Sequence, residues 1–325
     1  MNGSIFIRKV AAFAARAKSL LKSKPCCARA LTPLWAVLLI LPFASVARGQ
    51  SGSETIGFFG TLGQGNASVN GTQAVKNNSC APTAVTNGLT YLENYLINNS
   101  QADPFNTTPN TYTQLNNLQS GMSTGSTGTS LTNLWSGLQT YSTSHTGGTV
   151  TLSGQQDLTT VTGLGWGSQA GATNAIPTAT FLANALNAND GVEVSIEWGS
   201  YSGSTWTPKG GGHELTLDAI NTAGSTIGFI DPWGASNTAN AATSALSISA
   251  TWTLSNGYIY VTYPNPTGTN DIPDDVTPGD GTTTVGSAPS PTGRILADTV
   301  EGVPEPGTAA LALLGGVGLL MRRRR

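Results

Sequence analysis

Charge is what this 325-residue chain has least of: Asp, Glu, Lys and Arg together make up 10% of it. Eight of the fifteen basic residues lie in the first 48 positions and four more are the last four residues. The region between keeps only Lys76, Lys209 and Arg294, against all 17 acidic residues. A body so poor in cations offers no basic face to nucleic acid and little attraction to an anionic membrane surface, and it favours neutral or basic substrates. Histidine is limited to His145 and His213, and cysteine to Cys26, Cys27 and Cys80. Two histidines and one cysteine in the body cannot make a zinc site of the usual spacing. No Gly-Lys-Ser/Thr loop for phosphate occurs, "GLGWG" lacks the spacing of a dinucleotide fingerprint, and the aspartates beyond Pro264 lack the ligand spacing of an EF-hand. No metal or cofactor is therefore expected.

What is abundant is glycine, at 40 residues, with Asn, Ser and Thr crowding the loops. That composition suits an exported protein of strands and long turns, and the length allows a well-buried core. Arg8, Lys9, Arg16, Lys18, Lys22, Lys24 and Arg29 precede the apolar run Leu34 to Phe43, and Ser45-Val46-Ala47 supplies small residues for a signal peptidase. Residues 1–47 thus read as a removed signal peptide, with the mature chain beginning near Arg48. Cys26 and Cys27 leave with it, so one thiol and no disulfide remain. No Cys directly follows the apolar run, which argues against a lipoprotein anchor.

The other end reads "VPEPGTAALALLGGVGLLMRRRR". Its apolar stretch, Ala309 to Met321, is shorter than the roughly 20 residues of a stable spanning helix, and Arg322 to Arg325 would hold that end in the cytoplasm. Pro304-Glu305-Pro306, the short helix and the basic tail, in that order over residues 303–325, resemble the PEP-CTERM sorting signal of Gram-negative bacteria. The resemblance implies recognition by an exosortase, transient inner-membrane contact through residues 308–321 and delivery to the cell surface or extracellular biofilm matrix. A plain membrane anchor is the other reading of this tail.

Between the two ends, Val85, Leu89, Leu92 and Leu96 repeat at helical spacing over residues 80–97, with Pro82 in the first turn. Further helices are predicted at about 111–120, 130–142 and 178–188. From residue 191 the period becomes alternating, in "VEVSIEW", "HELTLDAI", "STIGFI", "SISATWTL" and "GYIYVTY". Helices first and strands second predict an α+β domain over residues 48–263, with N-terminal helices packed on a C-terminal antiparallel β-sheet. Residues 264–302, rich in Pro, Gly, Asp and Thr, read as a flexible linker.

Cys80 opens the first helix, where unpaired N–H groups and partial positive charge favour a thiolate. A nucleophilic thiol also needs a base and a group to orient it. His145 stands in the polar stretch "STSHTGGT" and reads as solvated. His213 opens a strand after three glycines, in "KGGGHELTLDAINTAGSTIGFIDPWG", and the return strand ends at Asp231. A hairpin symmetric about residue 222 would set His213 opposite Asp231, on the face of Leu215, Leu217, Ile227 and Phe229. An imidazole and a carboxylate paired so would fix the tautomer and stabilise the imidazolium. Taken singly, a buried structural Cys and a turn-capping Asp are the plainer readings.

Cys-Ala-Pro-Thr opening a helix, Gly-Gly-His opening a strand and Asp-Pro-Trp-Gly resemble the papain-like cysteine peptidases, and most closely the bacterial branch related to bacteriocin-processing, double-glycine peptidases. The resemblance covers about residues 70–263 and rests on those three motifs. It implies the papain-like fold, with Cys80 as nucleophile, His213 as general base and acid, and Asp231 as its orienter. It further implies an oxyanion-binding glutamine, for which Gln73 stands one residue too far upstream, and a tryptophan, Trp233, shielding the His–Asp hydrogen bond. Ala81 and Glu214 depart from the family pattern. The expected activity is thiol-dependent peptidase action on a peptide or protein substrate through a thioacyl-enzyme. The alternatives are a cell-wall amidase using the same triad and a non-catalytic surface or matrix protein.

Overall fold

Strands β4 to β9 close on themselves. In the computed structural model, which describes residues 51–54, 56–101, 103, 105, 111–146, 150–157, 171–202, 205–234, 241–263 and 292–303, these are β4 (Gly191–Ser202), β5 (Thr205–Asn221), β6 (Thr226–Asp231), β7 (Leu246–Ser255), β8 (Tyr258–Thr262) and β9 (Thr292–Gly302). Each pairs antiparallel with the next, and β9 returns to pair with β4. The product is a six-stranded antiparallel barrel, and closure removes the open edges that a flat sheet would leave. Three short strands extend it. β1 (Ser51–Ser53) lies against the end of β5, β2 (Thr151–Gln156) pairs with the far half of β9, and β3 (Ala172–Asn174) pairs parallel with β2. All of these residues belong to the unit Gly49–Arg325.

The barrel corrects the expected papain-like α+β fold. The five strands read from alternation are present, but they curl into a closed, strand-rich barrel instead of forming a layer under packed helices. The strand that closes it, β9, lies inside the segment read as a linker. Its own sequence, "TGRILADTVEG", carries Ile295, Leu296 and Val300, and nine of its eleven residues are buried. The Pro-, Gly- and Asp-rich stretch before it pulled the average composition toward a linker. The signal-peptide segment 1–47 and the sorting segment 304–325 lie outside the described residues. Among the described residues no helix is long and apolar enough to cross a membrane.

Alternation along the strands sorts side chains into the barrel and out of it. Val192, Val194, Ile196 and Trp198 of β4 meet Leu215 and Leu217 of β5, Ile227 and Phe229 of β6, Ile248 and Trp252 of β7, and Ile259 of β8 in one core. The helices are α1 (Gln73–Asn77), α2 (Cys80–Asn98), α3 (Tyr112–Gly121), α4 (Leu131–Thr146) and α5 (Ala179–Asn187). Leu182 and Leu186 of α5 join the barrel core. Helix α2 packs between the barrel and α3 and α4: Val85, Leu89, Leu92 and Leu96 meet Leu118, Leu134, Trp135 and Leu138 in a second core.

Where α2 rests on the barrel, the contact is polar. The Thr216 hydroxyl donates to the Ala84 carbonyl at 2.8 Å, and Gly88 lies so close to Glu193 that an added Cβ would sit 2.0 Å from its Oε1. Around this seam Glu193, Glu214, Asp298 and Glu301 are all buried. The Ser195 hydroxyl donates to Glu214 at 2.5 Å, Thr299 to Glu193 at 3.0 Å, and the Gln155 N–H to Asp298 at 2.9 Å.

Candidate active site

Cys80 is the first residue of α2, and its thiol is half-buried. The residue before it, Ser79, is fully buried. Its hydroxyl donates to the Val75 carbonyl at 2.7 Å and accepts from the Gln119 amide at 2.9 Å, which ties the joint between α1 and α2 to α3. Because Ser79 spends its side chain backward and does not cap the helix, the first N–H groups of α2 stay available beside the thiol.

His213 sits where β5 re-enters the ladder. Glu197 pairs with Gly212 and Gly199 with Pro208, so Lys209, Gly210 and Gly211 have no partner on β4. Gly211 adopts a φ of 72°, in the left-handed region where a side chain is strained, and an added Cβ at Gly212 would lie 2.7 Å from the Ile196 carbonyl oxygen. The glycine run is thus what lets the strand fold out and return with His213 facing inward, opposite Ile196.

Asp231 ends β6, and its relation to His213 differs in register from the simple hairpin. The turn Thr222–Ser225 sits further along than residue 222, so Asn221 pairs with Thr226. Alone, that shift would put His213 and Asp231 on opposite faces, since side chains alternate with a period of two. A bulge at Asp218 takes one residue back: Ala219 pairs with Gly228, but Leu217 pairs with Phe229. Asp231 therefore falls in register with Leu215, and His213 is its diagonal neighbour on the same face. Asp218 packs over Gly228, where a Cβ would come within 2.0 Å of its Oδ1.

The two side chains meet: His213 Nε2 lies 2.7 Å from Asp231 Oδ1, with His213 8% and Asp231 4% exposed. With Nε2 so engaged, Nδ1 is the ring nitrogen left for the thiol, and Cys80 lies near enough to act electrostatically on the ring. Burial alone would lower the imidazole pKa. The charge and hydrogen bond of Asp231, joined by those of Cys80, outweigh it and push the value up to about 10, so the ring is an imidazolium at neutral pH. Chain comparison adds nothing to this geometry. No protein-family model, curated protein or solved structure matches the chain.

Two other residues singled out in the sequence take different places. Gln73 is exposed on α1, and its amide donates to Asn77 Oδ1 at 2.8 Å, which turns it away from an oxyanion role. Besides Gln119, a buried glutamine near the site is Gln64, whose N–H donates to the Pro232 carbonyl at 3.0 Å and whose amide donates to the Asn77 carbonyl at 2.7 Å. Its distance in sequence from Cys80 hid it. Trp233 contributes its backbone N–H to Asp231 Oδ1 at 2.8 Å. The indole that stacks on His213 is that of Trp198, with ring centroids 6.4 Å apart and planes 24° apart. His145 lies in the last turn of α4, stacked on Tyr141 at 4.1 Å. Pro304, Glu305 and Pro306 lie outside the described residues. Among the described residues no group of three or more His, Cys, Asp or Glu side chains could hold a metal ion.

Proposed function

We propose that the chain is an exported thiol hydrolase that cleaves peptide or related amide bonds by acyl transfer. What supports the reading is one observation: an imidazole and a carboxylate, His213 of β5 and Asp231 of β6, are hydrogen-bonded to each other beside the helix-start thiol of Cys80 on α2. Charge separation between Cys80 and His213 supplies the thiolate, and Asp231 holds the imidazolium. The Cys80 sulfur attacks the carbonyl carbon, and the imidazolium gives its proton to the departing amine as the C–N bond breaks. Water, losing a proton to the now neutral imidazole, then opens the thioester and returns the thiol. In this reading the chain is handed to a signal peptidase at its N-terminus and to an exosortase at Pro304–Pro306, and reaches the cell surface or matrix of a Gram-negative bacterium.

The test is incubation of the purified mature protein with a mixed peptide library, beside Cys80→Ala. Cleavage by the parent that is lost in the variant is expected. Cleavage that persists in the variant removes Cys80 from the mechanism. No cleavage, together with slow alkylation of the thiol, returns the chain to the non-catalytic surface-protein alternative.

A further inference from the structure

Asp231 has a third donor that lies far away in sequence. The phenol of Tyr263, one residue beyond β8, donates to Asp231 Oδ2, on the carboxylate edge that neither His213 nor the Trp233 N–H uses. Tyr263 is 1% exposed and belongs to the barrel core. Its ring meets Trp198 edge-on, with centroids 5.9 Å apart and planes at 90°, and Trp198 in turn stacks on His213. Four contacts thus close a ring: Tyr263 to Asp231, Asp231 to His213, His213 to Trp198, and Trp198 back to Tyr263. A carboxylate is free to rotate about its last side-chain bond unless both oxygens are held. Tyr263 is what holds the second one.

We infer that Tyr263 is a positioning residue for the thiol site: its hydroxyl locks the plane of Asp231, so that Oδ1 stays aimed at His213 Nε2 and the Cys80–His213 ion pair is stabilised. This rests on the thiol-hydrolase reading above. Without the phenol, the carboxylate keeps its charge but loses its fixed plane, and an imidazolium less well held supports less thiolate at low pH. The other titratable groups near His213 are Cys80 from α2 and Glu214, its own neighbour on β5, which is bound to Ser195 of β4.

The experiment measures the rate of Cys80 alkylation by iodoacetamide against pH, in the mature protein and in Tyr263→Phe. The parent profile supplies the reference midpoint. In Tyr263→Phe the midpoint should rise by about one unit, which is about tenfold slower alkylation below the midpoint. In an Asp231→Asn background, Tyr263→Phe should move the midpoint no further, because the phenol acts through the carboxylate. A purely structural tyrosine would lower the melting temperature and leave the midpoint in place, and that result overturns the inference. Should Tyr263→Phe fail to fold, 4-fluorophenylalanine at position 263 keeps the size of the side chain while removing the O–H donor. An unmoved midpoint there overturns the inference equally. A parent protein that alkylates like an ordinary thiol sinks the hydrolase reading instead, and the two failures are thereby told apart.

Discussion

Asp231 accepts from His213, from the Trp233 backbone and from Tyr263, so replacing it separates orientation from charge. Asp231→Asn keeps a planar group that can still fix the ring but loses the negative charge that favours the imidazolium. Asp231→Ala loses both. If orientation is its work, Ala should reduce turnover by at least about tenfold more than Asn does, with Cys80→Ala abolishing it. Steady-state kinetics on any cleaved peptide decides this: equal losses would make charge the essential property, and no loss would make Asp231 a turn residue. At this scale the sequence was partly legible. His213 and Asp231 could be paired because strand alternation limits which side chains share a face. Tyr263 and Gln64 could not be found, because they reach the site through barrel closure and a loop crossing and no local spacing records those, whereas Trp198 comes by the β4–β5 pairing that sets Ile196 opposite His213.

At the scale of elements, helices were read to within a few residues because their apolar side chains repeat toward a single neighbour. Residues 130–142 were predicted and Leu131–Thr146 observed, and 178–188 predicted and Ala179–Asn187 observed. Strand β9 escaped because Arg294 and Glu301 face outward yet are buried under neighbouring elements, and Asp298 stands in register with inward-facing Val194, so its alternation looks polar. Arg294 is paired with Glu197 at 2.7 Å and lies over the rings of Trp206 and Tyr258 at 5.5 and 4.8 Å. Because β9 bridges β4 to β8 and β2, a chain ending at residue 263 should lose more than a tail. It exposes unpaired edges on three strands, β4, β8 and β2, and removes Ile295 and Val300 from the barrel core, each worth about 1.5–3 kcal/mol if fully buried. Expression of chains ending at 263 and at 303 should give an aggregating or unfolded product for the first and a cooperative thermal transition for the second. Matching transitions would show that β9 is dispensable to the fold.

Across the whole molecule, the shortage of charge is joined by an unusual placement of what charge there is. Glu193, Glu214, Asp298 and Glu301 are buried in and beside the α2 seam, and His213 stands beside Glu214. Burial raises Glu214 and Glu301 to about 8, and raises Asp298 well above its usual value. Glu193 is likewise raised, first by burial and then by the charge of Glu301. Glu54, buried and flanked by Asp190 and Asp218, rises to about 10. A carboxyl raised in the folded state holds its proton where the unfolded chain, with values near 4, has already released it. The folded state then binds more protons than the unfolded one, so stability falls as pH rises between the two values, by about 1.4 kcal/mol per unit for each such group. His213 acts in the same direction over a higher window. Its raised value contributes stability that is complete below about 6.5 and is lost as pH approaches 10. The melting temperature should therefore be highest near pH 4 to 5 and decline steadily through pH 8, the range set by the raised values of Glu214 and Glu301. Glu193→Gln with Glu301→Gln mimics the protonated pair, and should flatten the decline while sparing Cys80 alkylation at pH 5. Thermal unfolding from pH 4 to 9 checks both, and a melting temperature that rises with pH would mean that the seam carboxyls are ionised and hold the helix on the barrel by some other balance. If the decline is found, the seam that seats the Cys80 helix is what makes the fold firmest in acid, because its carboxyls pack against α2 only while they keep their protons.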